Sequence, residues 1–504
     1  MFAPVFLGKK KIMEVLTPQV ILATIVGYFI ILILISVFTH NNADNKTFFT
    51  ANRNSPWYLV SFGMIGASLS GVTFISVPGA VGGEGLNEAF SYMQMVLGYL
   101  VGYAVIAFVL MPIYYRYNLT TIYGYLEQRF GWHAYKTGAA YFLLSRVVGS
   151  AFRLYLVALV LDTFVFSALD IPFFITTLIT IFLIWVYTYK GGIKTIVITD
   201  TFQTMVMLLA VGLTIYFVAS ELSVSMTGLL DQIAQSPYSR IWHINSGWND
   251  PNNFAKQFIS GALITLVMTG LDQDMMQKNL TCRNLGEAQK NMVTFSVVLV
   301  FTNLLFLAMG AALYLYADHF QIQIPGNTDV FYPKIALEYL PVTIGFLFIL
   351  GLIAAAYSSA DSALTALTTS FCVDFLDFEK NNKSEEANKQ TRMWVHVGFS
   401  ILLAIVIIVF QQLNNTAIIN NLFKAAGYTY GPLLGLFAFA ILTKRNLPGR
   451  ATVIVCILAP FLSYIINDNS AHWFDGFQFG NLIIALNGLI TFAGLYIISN
   501  LKTS

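Results

Sequence analysis

Long apolar segments alternate with short polar ones along the chain from residue 18 onward. About 13 of these segments are long enough to cross a lipid bilayer as helices, because roughly 20 apolar residues span its hydrocarbon core. They lie near 18–38, 57–80, 90–113, 137–167, 171–189, 197–220, 255–277, 291–317, 335–374, 393–411, 418–442, 449–467 and 480–500. The pattern predicts an all-α polytopic membrane protein.

Polar residues in the segment 335–374 recur at helical spacing and share one face, namely Ser358, Asp361, Ser362 and Thr365. An aspartate at the centre of a spanning helix is unfavourable by roughly 2.5–3.5 kcal/mol on insertion scales. Such groups usually face a water-filled path or bind an ion. Oxygen ligands without sulfur or imidazole suit a small hard cation. The stripe therefore predicts a cation site within the membrane.

The basic residues of the polar loops predict the orientation. If the N-terminus lies outside and the spans alternate, most loop lysines and arginines fall inside, as the positive-inside rule requires. The lysines at 9–11 oppose this orientation. We predict a multi-pass protein of the cell (inner or plasma) membrane, with the N-terminus outside and the C-terminus inside. The segment 18–38 is too long for a signal-peptide core, so we interpret it as a retained span.

Composition and motifs narrow the possible functions. The chain is 57% hydrophobic and only 10% charged, whereas soluble proteins carry about 25% charged residues. Its net charge of +2 does not indicate a nucleic-acid partner. The sequence shows no P-loop and no nucleophile–base or metal-ligand motif, so we expect neither ATP hydrolysis nor an enzyme. A passive channel would need a continuous polar pore, whereas the polar residues of these spans cluster at mid-membrane. A membrane sensor would need a cytoplasmic signalling domain, whereas the sequence stops at Ser504, soon after the last predicted span.

Glycines and hydroxyl residues interrupt the segment 57–80. Each glycine costs about 1 kcal/mol relative to alanine in a helix interior. The glycines are Gly63, Gly66, Gly71 and Gly79. Two interpretations stay open: a helix that breaks at mid-membrane and offers free carbonyl groups to an ion, or close helix packing through small residues.

Charged residues also lie inside apolar segments. Asp200 is either an interfacial acid paired with Lys194 or an ion ligand that faces the polar stripe. Arg146 can extend to the inner surface. Arg153 lies about 10 Å deeper, so it either pairs with an acid or meets an anionic substrate. At the inner end of segment 255–277, the aspartates at 272 and 274 are expected to form an interfacial salt-bridge network.

Taken together, these features resemble the sodium:solute symporter family over nearly the whole chain. The likeness rests on the second span ending in FISVPGA, YGYLEQRFG at 123–131, GGIKTIVITD at 191–200 and AAAYSSADSALT at 354–365, with support from DQDMMQKNL at 272–280 and GYTYGPLLGLFAFAILTKR at 427–445. The resemblance implies the leucine-transporter-type 5+5 inverted repeat. We then expect an N-terminal tail and extra first helix at 1–56, a first five-helix repeat at 57–220, an external loop at 221–254, a second repeat at 255–442 and two C-terminal helices at 443–504.

The resemblance also implies site residues. The core sodium site of the family matches carbonyl groups of Gly66, Leu69 and Ala355 and hydroxyl groups of Ser358 and Ser359. The second sodium site of some members matches Asp200, Ser358, Asp361 and Ser362. The sialic acid branch has a serine in place of Asp361, so this acid either tightens a second sodium or binds a proton instead. The expected substrate-binding residues are Ser68, Ser70, Thr73, Gln94, Arg153 and Tyr428.

The implied function is sodium-coupled secondary active symport of a small organic solute by alternating access, with one or two Na+ ions. In the sequence, Arg153 lies within a few residues of the position that holds a carboxylate-binding arginine in the sialic acid branch. An arginine pairs with a carboxylate through two parallel hydrogen bonds. We therefore favour sialic acid, another sugar acid, an amino acid or a monocarboxylate. A neutral sugar and proton coupling remain the alternatives. We expect the chain to work as a monomer in the lipid bilayer.

Overall fold

The structure is a computed structural model that describes residues 18–39, 45–188, 192–378, 383–413 and 418–500. These ranges contain helices and loops, with one isolated bridge between Ser55 and Cys282 and no β-strand. The first helices are α1 Pro18–Thr39, α2 Asn45–Thr50, α3 Trp57–Ser68, α4 Gly71–Ala80, α5 Tyr92–Val105, α6 Met111–Arg116, α7 Gly124–Phe130, α8 Trp132–Leu161, α9 Phe173–Thr188 and α10 Gly192–Glu221. They are followed by α11 Met226–Gln235, α12 Phe254–Thr265, α13 Gln273–Asn279, α14 Leu285–His319, α15 Phe331–Lys334, α16 Val342–Ser370, α17 Glu385–Leu413, α18 Ile418–Leu442, α19 Gly449–Asp468, α20 Ser470–Trp473 and α21 Ile483–Ile498.

The helices account for every predicted span. In the described ranges, 10 helices are long and apolar enough to cross a membrane, two bent helix pairs pass the same test, and Phe173–Val186 is a shorter apolar helix. Large apolar side chains such as Phe182, Phe301 and Phe461 are exposed on the outer faces of these helices. Lipid would cover such faces, because an exposed apolar band of this extent marks contact with a membrane.

Two spans are each interrupted by a bend. The axes of α3 and α4 differ by 55°, and those of Phe254–Gly270 and α13 differ by 68°. At the first bend Leu69 leaves the helical conformation with φ −85° and ψ 78°. At the second, the Asp272 side chain caps α13 by accepting a hydrogen bond from the Asp274 N–H at 2.9 Å.

The break in segment 57–80 is confirmed. Close packing through its small residues is present as well, because a methyl group on Gly66 would overlap Thr204 Oγ1 and one on Gly79 would overlap the Thr328 carbonyl oxygen. Each bent span is the first of its predicted repeat, whose boundaries stay a prediction.

Helix α16 lies at the centre of the bundle. It packs against α1, α3, α4, α8, α10 and α17. The stretch from Gly351 to Ser370 is buried throughout. Its small side chains let neighbouring helices approach closely, which is how membrane helices pack without a hydrophobic driving force between them. The polar stripe predicted from the sequence therefore faces other helices and not lipid.

Two glycines bring α5 and α12 into backbone contact. A methyl group on Gly261 would overlap the Met95 carbonyl oxygen, and one on Gly98 would overlap that of Phe258. The neighbouring atoms are backbone atoms, which cannot rotate away as a side chain can. A larger residue at either position therefore has to push the helices apart.

We expect Gly261→Ala to destabilise the protein by about 1–3 kcal/mol, the usual cost of overpacking. The measurement is the thermal unfolding temperature of the detergent-purified protein. Gly212→Ala is the matched control, because a methyl group there meets nothing within 4 Å, and alanine is the better helix former by about 1 kcal/mol. Equal unfolding temperatures for the two variants would contradict the close approach of α5 and α12.

Candidate functional site

The two bends face a central cavity. The first bend contributes Ser68, Leu69, Ser70 and Thr73 to its wall, and the second contributes Thr265 and Thr269. Further lining residues come from α5, α8, α14 and α18, among them Tyr92, Tyr99, Tyr103, Arg146, Arg153, Asn303 and Phe423. Aromatic and aliphatic walls with a few convergent polar groups are typical of sites for small molecules. Four of the predicted substrate residues, Ser68, Ser70, Thr73 and Arg153, meet here.

Arg153 brings a buried positive charge to this cavity. Its side chain is only 8% exposed, and its Nε has no hydrogen-bond partner. Within the described part of the chain, no carboxylate lies within ion-pair distance of its guanidinium group. A buried charge without a partner is unfavourable unless a ligand supplies the counter-charge. The position therefore suits an anionic group of a solute.

Arg146, two turns before Arg153 on α8, has a different environment. It forms ion pairs with Asp274 and, at 3.8 Å, with Asp272, which also accepts a hydrogen bond from the Tyr430 hydroxyl. The predicted extension of Arg146 to the surface is wrong, because the side chain is 3% exposed. The predicted salt-bridge network of the two aspartates is confirmed, although it is buried and not interfacial. These contacts join α8, α13 and α18 next to the cavity and neutralise Arg146.

We expect Arg146→Gln to lower the stability of the purified protein by about 3–5 kcal/mol, because it leaves a buried carboxylate without its partner. Combining it with Asp274→Asn removes that charge and restores part of the loss. The exposed Arg116 supplies the control Arg116→Gln, which we expect to change stability by less than about 0.5 kcal/mol. The readout is thermal unfolding in detergent; an unaffected Arg146→Gln would show that the ion pair does not hold these helices together.

The first bend lies directly against α16. A methyl group on Gly66 would come within 3.2 Å of Ser358 Oγ and would overlap Thr204 Oγ1, and one on Gly71 would lie 3.8 Å from Ala356. The last carbonyl groups of a helix have no partner within that helix, so those of Gly66, Ala67 and Ser68 at the end of α3 are candidate ligands, as is the carbonyl of Leu69 at the break itself. The first bend and the turn of α16 that contains Ser358, the two elements of the predicted core sodium site, are therefore in contact.

The hydroxyl groups of Ser358 and Ser359 both donate their protons to protein acceptors. Ser358 Oγ donates its proton to Asp200 at 2.6 Å, and Ser359 Oγ donates to the Ala356 carbonyl at 3.0 Å. Because each proton is already donated, oxygen lone pairs remain for a ligand. Neutral carbonyl and hydroxyl oxygens fit a small hard cation such as sodium. The assignment of sodium to Gly66, Leu69, Ala355, Ser358 and Ser359 stays a prediction.

A second polar cluster surrounds Asp200. Its carboxylate accepts hydrogen bonds from Lys278 Nζ at 2.7 Å, from Ser358 Oγ and, at 3.4 Å, from Ser362 Oγ. Asp361 is buried beside it, with Oδ1 bonded to the Ser362 N–H at 2.5 Å. Lys194, the partner weighed for Asp200 from the sequence, has a side chain outside the described residues. The structure brings the residues of the predicted second sodium site together, but with an ammonium group at Asp200.

Sequence reasoning missed Lys278. Lys278 directly follows the apolar segment 255–277, so the sequence favours a basic residue of an inner loop, yet the structure places it in α13 with 1% exposure. The only local signal was the stretch DQDMMQKNL, in which polar residues continue a span instead of leaving it.

Two predicted substrate residues lie elsewhere. The Gln94 side-chain amide donates to the Asn252 carbonyl at 2.8 Å and accepts from the His243 N–H at 3.0 Å, so it holds the loop after α11. The Tyr428 hydroxyl accepts a hydrogen bond from Asn467 at 3.2 Å, at the end of α19. Neither lines the central cavity, and we remove both from the substrate site.

Comparisons with known proteins find sodium-coupled symporters that are similar to this chain over most of its length. The sequence model described as Sodium:solute symporter family matches residues 48–449. Sodium/sialic acid symporter NanT of Aliivibrio fischeri is 26% identical over 466 residues, which cover 90% of this chain and 89% of the relative. Sodium/sialic acid symporter SiaT of Proteus mirabilis is 24% identical over 482 residues, with coverages of 93% and 94%.

A solved structure shares the fold. The substrate-bound outward-open state of a Na+-coupled sialic acid symporter superimposes with a TM-score of 0.79 at 20% sequence identity, covering 95% of this chain and 98% of that one. At this identity the likeness concerns the fold alone. The leucine-transporter-type fold expected from the sequence is confirmed.

Proposed function

This chain belongs to the sodium:solute symporter family, and we propose that it imports a small carboxylate-bearing solute together with sodium by alternating access. The observation on which the substrate class rests is Arg153, whose buried guanidinium faces the central cavity and has no acidic partner among the described residues. A guanidinium group binds a carboxylate with two parallel hydrogen bonds. Two relatives are named for sialic acid, which is a carboxylate-bearing sugar.

Sodium couples to the solute through the first bend. An ion held by Gly66, Leu69, Ala355, Ser358 and Ser359 joins α3 to α16, and Ser68, Ser70 and Thr73 of the same bend line the cavity. The ion therefore stabilises the bend in the shape that contacts the solute. Because coupling free energy is reciprocal, the solute raises sodium affinity by the same factor. The membrane potential adds about 2.3 kcal/mol per charge per 100 mV to inward transport.

The remaining features of the proposal follow from the arrangement of the spans. The chain lies in the cell membrane with its N-terminus outside, since the positive-inside rule favours that orientation. The repeats extend over 57–220 and 255–442, as the two bent spans at their beginnings support. Residues of this one chain form both bends and the cavity walls described above, which supports function as a monomer.

The test is thermal unfolding of the purified protein with a panel of solutes, each with sodium or with potassium at equal ionic strength. The panel contains sialic acid, other sugar acids, amino acids, monocarboxylates and neutral sugars. We expect a carboxylate to raise the unfolding temperature in sodium only, because ligand binding to the folded state stabilises it. Stabilisation by neutral sugars alone, or by a carboxylate to the same extent in potassium, would contradict the proposal.

A further inference from the structure

We propose that a pocket between the ends of α18, α19 and α21 binds the headgroup of a phospholipid that carries a phosphate and a primary ammonium group, as phosphatidylethanolamine does. This headgroup pocket has a volume of about 350 Å³, which is within the range of ligand sites. It lies at the end of the bundle that the proposed orientation places outside. Its walls are mostly polar and include Asn420, Lys424, Asn467, Asp468, Gln478 and Asn481.

The headgroup pocket contains one positive and one negative side chain that do not neutralise each other. Lys424 of α18 and Asp468 of α19 both line it, and both are exposed. Among the described residues, no ion pair joins them to each other or to a third charged group. A phosphate beside Lys424 and an ammonium group beside Asp468 would pair both charges through charge-assisted hydrogen bonds. The charges therefore complement a zwitterionic headgroup.

Amide groups add hydrogen-bond donors to the same pocket. Asn481 is only 6% exposed, and its Nδ2 has no hydrogen-bond partner. The side-chain oxygen of Asn420 accepts a hydrogen bond from Asn87 Nδ2 at 3.1 Å, so the Asn420 side chain has its N–H groups left to donate. A buried polar atom without a partner is rare and indicates a bound water or ligand. Together with Lys424, these amides suit the oxygens of a phosphate group.

An apolar stripe on α19 leads to the headgroup pocket. Ile457, Phe461 and Ile465 are exposed, and with Asp468 they recur at helical spacing on one face. Lipid chains would cover such a face. Trp473, five positions after Asp468, is exposed as well, and tryptophan is enriched where a membrane meets water. A lipid whose chains lie along this stripe would therefore have its headgroup at Asp468.

The stripe is the reason to favour a lipid over a soluble ligand. A soluble carboxylate would pair with Lys424 and leave Asp468 unpaired. A soluble zwitterion would pair with both charges but would not need an apolar face that ends at the pocket. Polar pockets between membrane helices are known to hold lipid headgroups. A phospholipid with an ammonium group accounts for both charges, for the amide donors and for the stripe.

The headgroup pocket is distinct from the central cavity, although one helix serves both. Ile419, Leu422 and Phe423 of α18 line the central cavity, whereas Asn420 and Lys424 of the same turns line the headgroup pocket. A bound headgroup would thus stabilise the helix that separates the two sites. The inference goes beyond the proposed function, because it concerns a lipid that is not transported.

The test compares three phospholipids of identical chain composition, each titrated into the delipidated, detergent-purified protein while thermal unfolding is measured. Phosphatidylcholine has the phosphate but a quaternary ammonium group without N–H donors, and phosphatidylglycerol has the phosphate without an ammonium group. We expect phosphatidylethanolamine to raise the unfolding temperature at concentrations at least tenfold lower than the other two require, because a ligand of the folded state stabilises it. Equal effects of the three lipids would overturn the inference.

Two variants locate the effect in the headgroup pocket. Lys424→Gln and Asp468→Asn should each raise the phosphatidylethanolamine concentration for half-maximal stabilisation about tenfold, the effect of one lost hydrogen bond to a charged group. Asp475→Asn is the matched control, since Asp475 is exposed in the loop after α20 and does not line the pocket. It should leave the titration unchanged. An unchanged titration in both pocket variants would overturn the inference even if the natural protein preferred this lipid.

Soluble ligands form the last arm of the test. Phosphoethanolamine and glucuronate are titrated into the natural protein and into Lys424→Gln, without lipid and without sodium. We expect no stabilisation by either at concentrations at which the lipid is effective. Stabilisation that depends on Lys424 by a soluble compound, but not by the lipid, would assign the pocket to a soluble ligand and overturn the inference. The proposed function is tested by solutes in sodium, so the two can fail separately.

Discussion

Replacing Arg153 by glutamine should raise the solute concentration for half-maximal uptake by roughly two orders of magnitude. The reason is that truncating one partner of a buried, hydrogen-bonded charge pair costs about 2–5 kcal/mol. Arg153 lines the cavity and has no acidic partner among the described residues, so its charge is available to the solute. Arg153→Lys should recover only part of the loss, since an ammonium group cannot make the two parallel hydrogen bonds of a guanidinium group. Initial rates of labelled solute uptake measure the effect.

Two controls separate substrate contact from a structural role. Arg240 is exposed in the loop after α11, and Arg240→Gln should leave uptake unchanged. An uncharged amide of the transported acid should inhibit the natural protein weakly and the Arg153→Gln variant to a similar extent, because the contact that the substitution removes is absent from that ligand. If Arg153→Gln weakened the acid and its amide equally, the arginine would have a structural role.

Ser359→Ala should raise the sodium concentration for half-maximal uptake about 30-fold. A hydrogen-bond-type contact to a charged group is worth about 1.5–3 kcal/mol, and the variant removes one oxygen from the ion. At saturating sodium the solute concentration for half-maximal uptake should return close to its natural value, because the ion-bound state is then restored by mass action. Sodium titrations of uptake at fixed solute give both numbers.

The matched control for this serine is Ser400→Ala on α17. Its hydroxyl donates to the His396 carbonyl at 2.9 Å, far along the chain from the bend, and the side chain is buried like that of Ser359. We expect its sodium dependence to stay within about twofold of the natural protein, as for substitutions that touch no ligand. If Ser359→Ala had the same sodium concentration for half-maximal uptake as the natural protein, Ser359 would not be a ligand of the core sodium site.

The spans were predictable, and the first bend was one of two alternatives that the sequence offered, because their causes are local. Apolar length alone identifies a membrane helix, and the glycines of segment 57–80 weaken one helix at a particular depth. The polar stripe of α16 was predictable for the same reason, since helical spacing places Ser358, Asp361 and Ser362 on one face. Each of these features depends on residues that lie within about one helix length of one another in the sequence.

The pairing of charges was not predictable, because it depends on which distant helices meet. Asp200 and Lys278 lie 78 positions apart, and Arg146 and Asp274 lie 128 apart. The sequence could not say that Arg146 is neutralised while Arg153 is not, although both lie on α8. Gln94 was misassigned for a related reason: a buried amide serves a loop as well as a ligand, and only its contacts with His243 and Asn252 decide between them.

The measurement that tests the account most directly is uptake of the stabilising carboxylate into proteoliposomes under an inward sodium gradient. We expect accumulation above equilibrium with sodium, none with an equal potassium gradient, and loss of accumulation at the same solute concentration in Arg153→Gln. Accumulation driven equally well by a proton gradient without sodium, or undiminished in Arg153→Gln, would contradict the claim that this protein couples sodium at the first bend to a carboxylate held by Arg153.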